Sequence, residues 1–172
     1  MTSMQSWSWS EERMRQSVCM ARVAVQRSFD VAVPLEEAWR CLAEVGGWPE
    51  WAPHIRLVAV SPSGSLGPSS TGVLRVRRLG RSLRMGQGEE PRATLRMSAW
   101  EPPEHWDWAR GLPWVRIEYD HRFEASGDET TAMTWVVRLD GPLAWLVRPV
   151  FAWIYGRNVD RAIPRLQDWI RT

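Results

Sequence analysis

The sequence predicts an α+β fold in which a curved antiparallel β-sheet closes on one long C-terminal helix. Three observations predict it. Runs of strictly alternating apolar and polar residues fill the middle of the chain. A short helical segment follows the first of these runs. A long helical stretch, opening near Gly141-Pro142 and ending at Trp169-Ile170, follows the last. Strands grouped ahead of a helix indicate an antiparallel sheet rather than a parallel one. The helix cannot bury its apolar face alone, and the alternating strands offer a face to cover it. A bent sheet gripping one helix leaves an elongated cavity between them.

Taken in order, residues 1–20 read as a separate arm, with Trp7 and Trp9 as exposed anchors or as part of a disordered terminus. Arg22 to Val33 reads as a strand. Val23, Val25, Phe29, Val31 and Val33 share one parity, and Arg27 breaks it, as a strand-end exception or as a polar group in a pocket. Pro34 ends the strand and suits a helix start. Leu35 to Val45 follows as a helix, with Leu35, Ala38, Trp39 and Leu42 on one face and Glu36 and Glu37 at the favourable end of the dipole. Gly46-Gly47 stops it. Trp48-Pro49-Glu50-Trp51 makes a second short turn of helix.

Strands are expected over Ile55–Ser61, Val73–Leu79, Arg92–Trp100, His105–Arg110, Trp114–Ala125 and Thr131–Leu139. Residues 61–72, SPSGSLGPSSTG, read as a flexible loop. The segment 80–91 reads as a turn with room for a short strand. Trp114–Ala125 is the clearest strand: Val115, Ile117, Tyr119, His121 and Phe123 face inward, and Glu118 and Asp120 fall on the polar face. Met133, Trp135, Val137 and Leu139 face inward on the last strand. Pro149 and Pro164 predict a break or kink in the closing helix, giving a short helix and then a long one. Residues 21–172 are expected to form one domain.

Composition narrows the function classes. A net charge of +2 over 172 residues gives no electrostatic case for nucleic acid. Arginines 75, 77, 78, 81 and 84 alternate with apolar residues, as on a solvated sheet face. All 22 basic residues are arginine, which excludes a catalytic lysine. Cys19 and Cys41 have no metal-type spacing, and a reducing compartment suits them. No phosphate-binding glycine loop, zinc-protease or serine-hydrolase motif is present, so neither a metal nor a cofactor is expected. With no signal-like apolar core and no membrane-length apolar stretch, the expected location is the cytoplasm. The thirteen tryptophans fit either a core of large residues or the wall of a wide pocket.

Specific residues then carry a resemblance. Phe29-Asp30-Val31-Ala32-Val33-Pro34-Leu35-Glu36-Glu37-Ala38-Trp39, then Trp48-Pro49-Glu50-Trp51, then Trp100-Glu101-Pro102-Pro103 with Trp106-Asp107-Trp108, resemble the START-like, or helix-grip, superfamily that includes the Bet v 1 proteins. Within it the chain looks most like the polyketide cyclase/dehydrase and lipid-transport group, over about Arg22 to Thr172. The resemblance implies a cavity for a small hydrophobic ligand, aromatic, polyketide-like or lipid-like. It implies no shared catalytic set, because fold is weak evidence for activity. The tryptophan count, the arm and Pro164 depart from the group's pattern.

Candidate site residues follow from strand parity. His121 is either a general acid–base or a structural histidine satisfied by a carbonyl or by solvent. Tyr119 is either a donor to a substrate carbonyl or a core aromatic. Trp135, Met133, Met97, Leu95, Ile117 and Phe123 on the strands, with Trp39, Trp51 and Ile154 on the helices, are expected to line the ligand cavity. Trp48 and Trp51 either gate the cavity or plug the sheet's end, and His54 is expected at the surface. A cyclase or dehydratase using His121 and Tyr119 is the alternative to simple binding. An interaction module using Trp7 and Trp9, or Trp145 and Trp153 against a protein or membrane surface, is the third reading. The chain is expected to be a monomer or a homodimer.

Overall fold

The computed structural model describes residues 22–76, 92–111 and 114–171. The arm at 1–20, the segment 80–91 and Arg77, Arg78, Arg81 and Arg84 lie outside these residues. Seven strands form one antiparallel sheet: β1 (Arg22–Val31), β2 (Ile55–Ser61), β3 (Thr71–Val76), β4 (Arg92–Glu101), β5 (His105–Gly111), β6 (Arg116–Gly127) and β7 (Thr130–Asp140). Their order is β1-β7-β6-β5-β4-β3-β2, so β2 to β7 each pair with the next strand, while β1 lies beside β7 at the edge opposite β2. The helices are α1 (Leu35–Ala43), α2 (Trp48–Trp51) and α3 (Ala144–Ile170). A single 3-10 turn, Val45–Gly47, joins the first two.

Parity sets the two faces of the sheet. On β7, Met133, Trp135, Val137 and Leu139 are buried, as alternation predicts. On β6, Ile117 and Phe123 are buried on the same side. The largest apolar cluster joins α1, α2, the far half of α3 and the strand faces beneath them. Its centre is aromatic. Trp106 is fully buried, with Trp39, Phe123, Trp100 and His121 packed around it at centroid distances of 4.7, 5.0, 6.1 and 5.5 Å. Edge-to-face and tilted contacts of this kind add to the stabilisation from buried area.

Two glycines permit this packing. Gly141 adopts a φ of +115° between β7 and α3, and a Cβ there would lie 2.5 Å from the Trp114 carbonyl oxygen. Gly72 sits under the Trp108 ring, where a Cβ would approach to 3.2 Å.

The structure corrects four expectations. Helix α3 is continuous through Pro149 and Pro164. Both prolines sit on its exposed side, as do Trp145 and Asp160 four residues earlier. Water can therefore reach the carbonyls that lose their intrahelical partner, and the helix tolerates the losses. The 61–72 loop is anchored: Leu66 is buried, its N–H donates to the Ala43 carbonyl, and the Met97 N–H donates to the Ser70 carbonyl. Arg27 is neither a strand-end exception nor a pocket group. Its guanidinium reaches Asp160 on α3 with bonds of 2.6 and 3.1 Å. Asp120 is on the outer face yet is 1% exposed, because the long side chains of Arg122 and Arg138 close over it.

Replacing Trp106 by Ala should destabilise the fold by about 3–5 kcal/mol, the range for a large buried aromatic truncated to Ala. Urea denaturation checks this. A loss below about 1 kcal/mol would mean the aromatic cluster is not the centre of the core.

Candidate functional site

Helix α3 does not lie flat on the sheet. Its second half is sealed: Val159, Ala162 and Leu166 are buried against the core. Its first half stands over the middle strands and encloses a cavity of about 740 Å³. The helix side of the cavity is Val147, Val150, Phe151 and Ile154. The sheet side is Leu74 on β3, Leu95 on β4, Trp108 on β5 and the Tyr119–His121 pair on β6. Trp48, His54 and Ile55 close one end. The wall is mostly apolar, and its few polar side chains converge from different elements, a common property of small-molecule sites.

Of the residues predicted from sequence, the cavity brings together His121, Tyr119, Leu95 and Ile154. Trp135 lies behind His121, lining an adjacent hollow of about 10 Å³. Met133, Phe123, Trp51 and Ile117 are buried in the packed core. Trp39 and Met97 pack against that core from the side, and none of these six touches the cavity. Several lining residues were not singled out from the sequence: Trp108, Arg110, Leu74, Tyr155 and Asn158. Trp108 and Arg110 were legible as the inward parity of β5, after Trp106. Tyr155 and Asn158 lie beside the apolar stripe of α3, which periodicity alone reads as packing.

His54 is also a correction. Trp48 and the start of β2 enclose it, and its ring lies 6.2 Å from that of Tyr155. Burial lowers its pKa to about 4, and its Nδ1 has no hydrogen-bond partner. His121 behaves likewise. Burial lowers its pKa to about 4, although the neighbouring Asp120 charge works the other way. Its Nδ1 too is buried without a hydrogen-bond partner, while a backbone group of Tyr119 favours the charged ring. Both rings are neutral near pH 7 because the cost of burying the cation outweighs what favours it. Burial pushes the Tyr119 phenol up to about 12, with Arg110 opposing, and pushes the Tyr155 phenol higher still. The cavity therefore presents neutral imidazoles and protonated phenols.

Among the described residues, one group has the composition of a metal site: His105, Asp107 and Asp120 on the outer face of the sheet. Its geometry is that of a charge network instead. His105 Nε2 lies 2.9 Å from Asp107 and 3.3 Å from Asp120. Arg122 and Arg138 both donate to Asp120. Burial would raise the Asp120 pKa, but these two guanidiniums hold it below the usual carboxylate value. Two cations already on the central carboxylate disfavour a third.

Around the cavity mouth, apolar side chains meet water. Leu146 and Val150 line the cavity and are largely exposed, and Trp145 and Trp153 beside them are 65% and 63% exposed. Arg157 stacks over Trp153 at 5.2 Å. Among the described residues no helix is long and apolar enough to cross a membrane.

The two histidines set a pH dependence. Their folded-state pKa values of about 4 lie below the ordinary 6.5, so the unfolded chain binds protons first as pH falls. Their contribution to stability should be complete above pH 6.5 and should drain away between 6.5 and about 4. In an NMR titration, the His54 and His121 ring protons should stay unshifted from pH 8 to pH 5.5, whereas a midpoint near the ordinary value would contradict the burial described.

No curated protein matches the chain. Solved structures share its fold. The Zhui aromatase/cyclase from Streptomyces sp. R1128 superposes with a TM-score of 0.67 at 17% identity, covering 88% of this chain and 94% of that one. A START superfamily protein from Mycobacterium smegmatis gives 0.63 at 13% identity, over 86% and 96%. Ara h 8.0201 gives 0.61 at 11% identity, over 87% and 97%. At these identities the likeness speaks for the helix-grip fold alone. The sequence itself goes further: residues 22–169 match the polyketide cyclase/dehydrase and lipid-transport family. With nearly every described element inside that match, the chain belongs to this family.

Proposed function

We propose that the protein binds a small hydrophobic molecule, aromatic, polyketide-like or lipid-like, in the hollow between α3 and β3–β6. The observation that carries this reading is the cavity itself. Its volume of about 740 Å³ falls in the range of drug-sized ligand sites, roughly 300–1,000 Å³. Leu95, Trp108, Phe151 and Ile154 offer apolar area on opposite walls. The exposed Leu146 and Val150 give an apolar ligand a continuous path from the surface inward. Membership of a family named for cyclases, dehydrases and lipid transport supports the same class of ligand.

Catalysis is the second reading, and a specific placement favours it. Tyr119 and His121 stand two residues apart on the inward face of β6 and border the same cavity. In a poly-β-carbonyl chain, His121 would take a proton from the carbon between two carbonyls. Tyr119 would donate a hydrogen bond to the oxygen that gains charge, and the enolate carbon would attack a second carbonyl, whose π pair passes to its oxygen and takes the proton back from His121. The fold shared with the Zhui aromatase/cyclase agrees with this chemistry. Binding stands first because an imidazole with a pKa of about 4 is a weak base at pH 7. If His121→Ala and Tyr119→Phe leave the turnover of a candidate polycarbonyl substrate unchanged, these roles are wrong.

Filling the cavity tests the binding reading. Leu95→Trp and Ile154→Trp should each weaken binding of a fluorescent polyaromatic probe at least tenfold while leaving the far-ultraviolet circular dichroism spectrum intact. Unaltered affinity in both variants would place the binding site elsewhere.

A further inference from the structure

Arg27 and Arg110 both leave the sheet on the side facing α3, and they meet opposite fates. Arg27, on β1, is answered within the chain by Asp160 of α3. Arg110, on β5, follows Trp106 and Trp108 on the inward parity and borders the cavity. Among the described residues no carboxylate pairs with it, and no Asp or Glu lines the cavity. The other polar groups on the wall are neutral near pH 7: the phenols of Tyr119 and Tyr155, the buried amide of Asn158 and the rings of His54 and His121. Among the described residues, Arg110 is thus the single charge on an otherwise uncharged, mostly apolar wall.

That arrangement selects for a charge on the ligand. A half-buried guanidinium loses part of its hydration and recovers it best from an anion. Its planar fork fits a carboxylate with two parallel hydrogen bonds, and such bonds are about twice as strong as neutral ones. A neutral hydrocarbon filling the same space would leave the guanidinium desolvated and unpaired.

We propose that the ligand is an acid: an apolar or aromatic body lying along Leu95, Trp108 and Ile154, with one carboxylate received by Arg110. This rests on the cavity-binding reading and adds the chemical class of the ligand to it. Arg110 is a binding residue that sets specificity. The phenol of Tyr119, close enough to feel its charge, is the natural second donor to the same carboxylate.

The test compares one apolar body with and without its charge. 1-Pyrenebutyric acid and its methyl ester are titrated against the full chain at pH 7.5, and energy transfer from tryptophan to pyrene reports binding. The wild-type protein should bind the acid at least tenfold more tightly than the ester. Arg110→Gln should bring the acid down to the ester's affinity and change the ester by less than twofold. Arg110→Lys, which keeps the charge, should retain part of the preference and controls for loss of fold. Equal affinity for acid and ester in the wild type, or a preference that survives Arg110→Gln, overturns the assignment of Arg110 and leaves the cavity reading standing. Failure of both compounds to bind the wild type overturns the two together.

Discussion

The structure depends on one constraint: α3 is fastened to one side of the sheet and not across its middle. The helix rests on β1, β7 and α2. Leu166, fully buried, and Val159 and Ala162 beside it supply the apolar grip. Polar contacts fix the register along the same edge. Asp160 meets Arg27, Gln167 donates to the Asp30 carbonyl, and the Trp169 ring N–H donates to Glu50. The Arg27–Asp160 pair is 39% and 51% exposed, so it contributes at most about 1 kcal/mol. Burial of the leucine and its neighbours outweighs it. The first half packs on β1, β6 and β7 through Ala144, Phe151 and Tyr155, and the cavity opens where it stands over β3–β5.

Much of this was legible before any coordinates. Strict alternation placed Tyr119 and His121 on the inward face, and both border the cavity. The same rule could not separate residues beneath the cavity from residues beneath the sealed half of the helix. Met133 and Phe123 share the inward parity with Tyr119 and His121, yet they are packed under α1 and α2. Parity gives the side of a sheet and says nothing of what covers it at each point along a strand. His54 and Asp120 failed for a related reason. Each is a polar residue covered in part by a side chain distant in sequence: Tyr155 beside the histidine, Arg138 over the aspartate. The prolines of α3 misled because local rules give their cost without showing that both sit where water can compensate.

The polar groups divide by face. On the outer face, Asp120 is paired with Arg122 and Arg138, and His105 and Asp107 join the same network. Inside, Arg27 is paired across to the helix, the imidazoles are neutral, and Arg110 is left on the cavity wall. A fold that pairs Arg27 with the helix and leaves Arg110 to the cavity points to the cavity as the place where pairing is completed. The apolar rim of Trp145, Leu146, Val150 and Trp153 gives the same cavity a surface compatible with hydrophobic solutes.

The central claim is that the helix and the sheet stand apart where they face each other over β3–β5. The most direct measurement is a crystal soaked with a brominated naphthalene and read by anomalous scattering. The account predicts a bromine peak enclosed by Leu95, Trp108 and Ile154, with α3 in place above it. A crystal in which the side chains of Phe151 and Ile154 interlock with Leu74 and Leu95, with bromine found only on the outside, would contradict it.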